Sequence, residues 1–216
     1  ATQSVSGFTA SGLVGGETES VLTGVTEAGG AGKNAGSYPH TLSGTDGNYN
    51  LTFVDGTLTI GKAGATVTAN TQSVTYNGAT QSVSGFTASG LVGGETESVL
   101  TGITEAGGSG KNAGSYPHTL SGSDGNYNLT FVDGSLTIGK AGATVTANTQ
   151  SVTYNGATQS VSGFTASGLV GGETESVLTG VTEAGGAGKN AGSYPHTLSG
   201  TDGNYNLTFV DGTLTI

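Results

Sequence analysis

The sequence predicts an all-β protein: tandem small modules, β-sandwich (Ig-like) or β-grasp-related in kind, stacked end to end as a rod. Three observations carry this. Residues 1–60 return at 79–138 and at 157–216, a period of 78 residues, and a regular period of that length marks a string of like supersecondary units. The chain holds 42 glycines in 216 residues, is rich in Ser and Thr, and is only 9% charged. Gly and β-branched residues are poor helix formers and suit short strands joined by tight turns. Apolar residues, 33% of the chain, fall in alternating runs, which separates it from disordered chains.

The third copy is identical to the first. The second carries Ile103, Ser109, Ser123 and Ser135 where the first has Val25, Ala31, Thr45 and Thr57. The segments between copies, Gly61–Gly78 and Gly139–Gly156, match each other throughout. Every candidate site therefore recurs along the chain, which suits a spacer better than an enzyme with one active site.

Within a copy, Ser11–Gly16 reads as a turn or loop leading into one helical turn at Glu17–Leu22, since no longer helical period exists. Val21–Thr26 reads as a strand and Ala28–Gly36, with four glycines, as a loop. Ser37–Leu42 places Tyr38, His40 and Leu42 on one side. Pro39 cannot donate to a ladder, so this strand is expected at an edge or with that position facing outward. Leu51–Ile60 reads as a hairpin about Asp55-Gly56, with Phe53 opposite Leu58 and Leu51 opposite Ile60 on one face.

The 18-residue stretch continues the pattern. Ala65–Ala69 alternates, Thr71–Tyr76 is rich in β-formers, and Asn77-Gly78 is a second hairpin dipeptide that ties the stretch to Ala79–Val83. Module boundaries then fall near Lys62-Ala63 and Lys140-Ala141, giving modules 1–62, 63–140 and 141–216, the first without its opening strand. Either the chain is a window on a longer array or a neighbouring molecule supplies that strand by head-to-tail association. The absence of a leader segment fits the first alternative.

Net charge is −10, from 15 acidic residues against five Lys and no Arg. Such a surface cannot neutralise a phosphate backbone, which excludes nucleic acid as partner. No run approaches the ~20 apolar residues of a membrane span, so no membrane insertion is expected. The chain has no Cys, which excludes disulfides, thiolate nucleophiles and Cys-ligated metals.

Across the chain, Lys62-Ala63 precedes Thr66–Ala69, and then come Tyr76-Asn77-Gly78, Gly85-Phe86, Gly90-Leu91, Leu100-Thr101-Gly102, Asn112–Tyr116, Asn126-Tyr127 and Leu136–Ile138. In order and spacing this resembles the MBG-type repeats of very large bacterial surface adhesins, including filamentous-haemagglutinin-like proteins. The resemblance implies an extracellular, cell-surface, all-β stalk module, with no catalytic residues to carry over.

Several motifs invite chemistry. Asp46, Asn48 and Asn50 have a D-x-N-x-N spacing that can wrap oxygens around Ca²⁺, with Asp55 as a further donor. Their equivalents are Asp124, Asn126, Asn128 and Asp133, and Asp202, Asn204, Asn206 and Asp211. The pattern departs from an EF-hand at Leu51 and Thr57, and Asp and Asn make the same turns without metal. No other cofactor is implied. His40, His118 and His196 have no second His in their unit, and a structural role outweighs a zinc or catalytic one. Gly29–Lys33 lacks the full phosphate-loop pattern. Lys33 and Lys62, with many Asn, raise a Lys–Asn isopeptide bond. Asn50-Leu51-Thr52 is a glycosylation sequon, repeated at Asn128 and Asn206. Tyr38, Tyr49 and Tyr76 could stack a sugar, although Tyr in a small β module is more often core or rim.

The sequence thus favours a non-enzymatic stalk or spacer of an extracellular adhesin or surface fibre, whose partners are neighbouring repeats of the same chain. Short junctions such as Gly61–Gly64 limit bending, and strands rising ~3.3 Å per residue make a module ~35–40 Å long. The alternative is a multivalent adhesive array, each module binding glycan, matrix or Ca²⁺ directly.

Overall fold

The computed structural model describes all residues, 1–216. By compactness the chain divides into two units. One comprises Ala1–Val67, Thr87–Thr104 and Ser121–Phe131, the other Thr68–Phe86, Glu105–Leu120 and Val132–Ile216. The protein is all-β, in several small sheets, with 3-10 turns at Glu19–Val21, Glu97–Val99 and Glu175–Val177 as its helical elements.

In the second unit, the third copy and the segment before it make three sheets. Strand Ala141–Ala147 is the centre of the first. It pairs antiparallel with Phe164–Ser167, from Ala147 opposite Phe164 to Thr144 opposite Ser167. On its other edge it pairs parallel with Tyr205–Val210, from Ala141 opposite Tyr205 to Thr146 opposite Val210. The second sheet runs in the order Gln150–Ser151, Gly212–Thr215, Ser193–Gly200, Val181–Gly185. Gln159–Ser160 and Ala187–Gly188 make a two-stranded third.

Side-chain alternation on the central strand explains its position. Ala141, Ala143, Val145 and Ala147 are buried, and they form one cluster with Leu178, Leu198 and Tyr205, closed by Phe164, Leu207 and Phe209. Val145 is fully buried, which stabilises the fold by about 1.5–3 kcal/mol. The 3-10 turn Glu175–Val177 delivers Leu178 to this core at 3% exposure.

Asp211-Gly212 does not make the hairpin that the sequence suggests. Tyr205–Val210 and Gly212–Thr215 lie in different sheets, the first paired with Ala141–Ala147 and the second with Ser193–Gly200. Leu207 and Phe209 pack against the cluster around Ala141–Ala147, and Leu214, in the second sheet, is fully buried. Gly212 has no positive φ. Glycine is required there because a Cβ would stand 2.3 Å from the Asn148 carbonyl oxygen.

Asn77-Gly78 is likewise a bend and not a hairpin. Gln72–Thr75 runs parallel to Leu136–Gly139, while Gln81–Ser82 pairs with Ser109–Gly110. Asn77 Oδ1 accepts the Ala79 amide at 2.9 Å, and Gly78 adopts φ +79°.

Nor is the proline strand an edge. Ser193–Gly200 lies between Val181–Gly185 and Gly212–Thr215. Gly192 and Ile216 exchange both backbone bonds, so alternation turns the Pro195 nitrogen towards the other neighbour. The Gly186 carbonyl there is taken by the Val161 amide at 2.8 Å, and Gly186 N–H donates to the Pro195 carbonyl at 2.7 Å. The missing proline donor leaves no acceptor unsatisfied.

In the first unit, Val25–Gly29, Gly36–Gly44 and Gly56–Ile60 form a three-stranded sheet and Gln3–Ser4 pairs with Ala31–Gly32. The expected strand Val21–Thr26 therefore starts later, at Val25, because the 3-10 turn occupies Glu19–Val21. The expected loop Ala28–Gly36 contains the end of that strand and the short strand Ala31–Gly32.

Candidate functional site

Several of the polar residues singled out by sequence meet where one copy abuts the next. In the second unit, Asp202 Oδ1 accepts the Asn204 and Tyr205 amides at 2.7 and 3.0 Å. That capping, by a short acceptor two residues ahead, turns the Asn204 side chain outward. Its Oδ1 accepts the Ala113 amide of the preceding copy at 2.9 Å, and its Nδ2 donates to Asn112 Oδ1 at 3.3 Å. Lys140 Nζ donates to the Asp202 carbonyl at 2.6 Å.

Tyr76 completes this contact. Its ring packs edge-on against Tyr205, centroids 5.5 Å apart. Both hydroxyls donate to Glu173, Tyr76 to Oε1 at 2.5 Å and Tyr205 to Oε2 at 2.6 Å. The Tyr205 oxygen also accepts the Val170 amide at 3.0 Å. The hydrogen bond to Glu173, with burial, pushes the Tyr76 phenol up to about 12. Burial and then Glu173 raise Tyr205. Glu173 is lowered by the two hydroxyls, Tyr205 first, with Lys111 adding to them.

The first unit repeats the hook. Asp124 Oδ1 accepts from Asn126 and Tyr127, Asn126 Oδ1 accepts the Ala35 amide at 2.9 Å, and Lys62 Nζ reaches the Asp124 carbonyl at 2.7 Å. Tyr127 donates to Glu95 at 2.6 Å, which raises its pKa. In the first copy Asp46 caps Asn48 and Tyr49 in the same way, and Tyr49 donates to Glu17.

The Ca²⁺ candidates are thus spread over several tasks. Asp46, Asp124 and Asp202 serve as turn caps, and Asn126 and Asn204 as hooks between copies. Asp55 Oδ1 accepts the Leu42 amide at 3.3 Å. Asn50, Asn128 and Asn206 are exposed, as are Asp133 and Asp211. No group of three or more His or acidic side chains converges. The lysines seen in contact hold backbone carbonyls, not Asn side chains.

The histidines are structural. His196 is 1% exposed. Its Nδ1 lies 3.0 Å from the Asn148 carbonyl and its Nε2 3.0 Å from Glu183 Oε2. Both partners are acceptors, and each ring nitrogen faces one of them. Glu183 also accepts the Gly163 amide at 2.7 Å. That bond, with His196 adding to it against burial, lowers its pKa. His118 repeats the pattern with Asn70 and Glu105.

Glu17, Glu95 and Glu173 were not picked out by sequence. Their only signal is recurrence at a fixed offset from the Tyr they hold, 32 residues in each copy.

None of the curated proteins matches the chain. The profile of the MBG domain (YGX type) matches it three times, at residues 2–59, 65–137 and 143–215. With nearly every residue of each repeat inside a match, the chain belongs to the MBG domain family.

Proposed function

We propose that this chain is a non-enzymatic spacer of an extracellular surface protein, built from modules 1–62, 63–140 and 141–216. Tandem MBG domains are repeat modules of surface proteins. The observation that carries the spacer reading is the conserved geometry of the hook. Asn126 to Ala35 and Asn204 to Ala113 are both 2.9 Å and both span 91 residues. A junction remade with the same bonds at each step adds a constant increment of length. No helix is long and apolar enough to cross a membrane.

Small-angle scattering on arrays of increasing copy number tests this. The maximum dimension should grow by a constant step per repeat, and a compact particle whose size grows only as the cube root of mass overturns the reading.

A further inference from the structure

The segment that opens the repeat at residues 141–216 lies alongside the segment that closes it. Ala141–Ala147 and Tyr205–Val210 run parallel through six register pairs, from Ala141 opposite Tyr205 to Thr146 opposite Val210. Both segments then cross to the second sheet, where Gln150 lies opposite Leu214 and Ser151 opposite Thr215, again parallel. The offset is 64 residues on both sides of the crossing. Backbone bonds close the two ends, Ala141 N–H to the Asn204 carbonyl and Val152 N–H to the Thr215 carbonyl, both at 2.9 Å. One period earlier, Gln72–Thr75 runs parallel to Leu136–Gly139 at the same offset, and Tyr76 N–H donates to the Gly139 carbonyl at 2.8 Å.

The direction of this pairing decides how the repeat answers to load. Tension carried along the chain pulls Ala141 one way and Thr215 the other. Because the two segments are parallel, the pulls act at opposite ends of the ladder and slide one strand along its partner. All the evenly spaced bonds of a parallel ladder are then loaded together. An antiparallel pair closed by a hairpin would be pulled at one end and would open pair by pair. Sliding must also drag Val145 and Leu214, both at 0% exposure, out of their packing, and that burial adds to the resistance. Parallel pairing is slightly less stable per residue than antiparallel, yet here it falls on the two segments through which load enters and leaves.

We propose that the parallel pairing of residues 141–151 with 205–215 is a tensile clamp, by which the repeat resists being pulled open along the chain. This rests on the spacer reading, in which load passes from one repeat to the next. The two fail separately: scattering against copy number reads the increment of length, whereas pulling reads the strength of the ladder.

Single-molecule pulling of the intact chain in two directions tests it. The chain has no Cys, so an introduced pair gives unique handles. Gly142→Cys with Val210→Cys pulls from opposite ends of the ladder, and Gly142→Cys with Gly203→Cys pulls from one end. A Cβ at Gly142 or Gly203 meets nothing within 4 Å, and Val210 is 45% exposed, so these substitutions leave the core untouched. Forced unfolding reads the barrier to unfolding and not the equilibrium stability. At one loading rate the first pair should open at no less than roughly twice the force of the second, since six register pairs are loaded together and not in turn. Equal forces, or a higher force for the second pair, overturn the proposal.

Discussion

The first and third copies share all 60 residues but not the same structure. Tyr205–Val210 is a strand, whereas Tyr49–Val54 is not. Leu214 is fully buried, while Leu58 is half-buried. Val210 is 45% exposed and Val54 82%. What differs is Ala141–Ala147, which both walls of the third copy use as their partner. Sixty residues therefore do not encode a closed core by themselves. The small apolar strand that completes it comes from the intervening segment, by parallel pairing with residues 64 positions further on.

Paired substitutions at equivalent positions turn this into measurements. The largest gap is expected at the core leucine. Leu214→Ala should cost about 2–5 kcal/mol, the usual range for a buried Leu. Leu58→Ala, in the open copy, should cost about 1 kcal/mol, because part of its surface is already wet. Urea unfolding of the two variants, each lowering one transition, separates them. Equal costs would show that the first copy is as closed as the third.

A second pair probes the crossover. Gly212→Ala sets a Cβ 2.3 Å from the Asn148 carbonyl oxygen, and overpacking of that kind costs about 1–3 kcal/mol or more. At Gly56 the nearest atom is 3.7 Å away, so Gly56→Ala should stay within about 0.5 kcal/mol. Thermal melting decides it, and a strong effect at Gly56 would show that the close approach at Gly212 is not what sets the two positions apart.

This glycine also shows what could be read in advance. The alternation of Leu207, Phe209 and Leu214 was legible, and so was which side of each strand is buried. Their pairing was not. A hairpin and a crossover between facing sheets give the same alternation, and Asp-Gly suits both. Only the approach of Asn148, distant in sequence, makes the difference. The D-x-N-x-N stretch was legible as a polar turn for the same local reason that Asp202 caps it. Its task was hidden, because Ala113, which the Asn204 side chain meets, lies 91 residues away.

The junction should also carry a pH signature. The Tyr76 phenol is raised from an ordinary 10.0 to about 12, so folding favours its protonated form. Its contribution is complete below pH 10 and lost as pH rises to about 12. Glu173 is lowered from 4.5, so its contribution is complete above that value and lost as pH falls below it. Tyr76→Phe should flatten the alkaline limb of a stability profile. Tyr154, the equivalent position in the segment before the third copy, is 56% exposed, and Tyr154→Phe is the matched control. If both variants behave alike, the Glu173 contact does not matter for stability.

The smallest gap is expected at the hook. Asn204 accepts the Ala113 amide and donates to Asn112, whereas Asn48, its counterpart in the first copy, is exposed. Asn204→Ala should cost about 1 kcal/mol, one hydrogen bond and a part-buried amide left without its acceptor. Asn48→Ala should cost nothing measurable. Hydrogen exchange at the Ala113 amide gives the sharper reading, since global stability barely moves. Its protection should fall in Asn204→Ala and persist in Asn48→Ala. Unchanged protection would mean that the junction is held by the Tyr76–Glu173–Tyr205 contact alone. The repeated Asn would then set the direction of the turn and contribute little to the grip between copies.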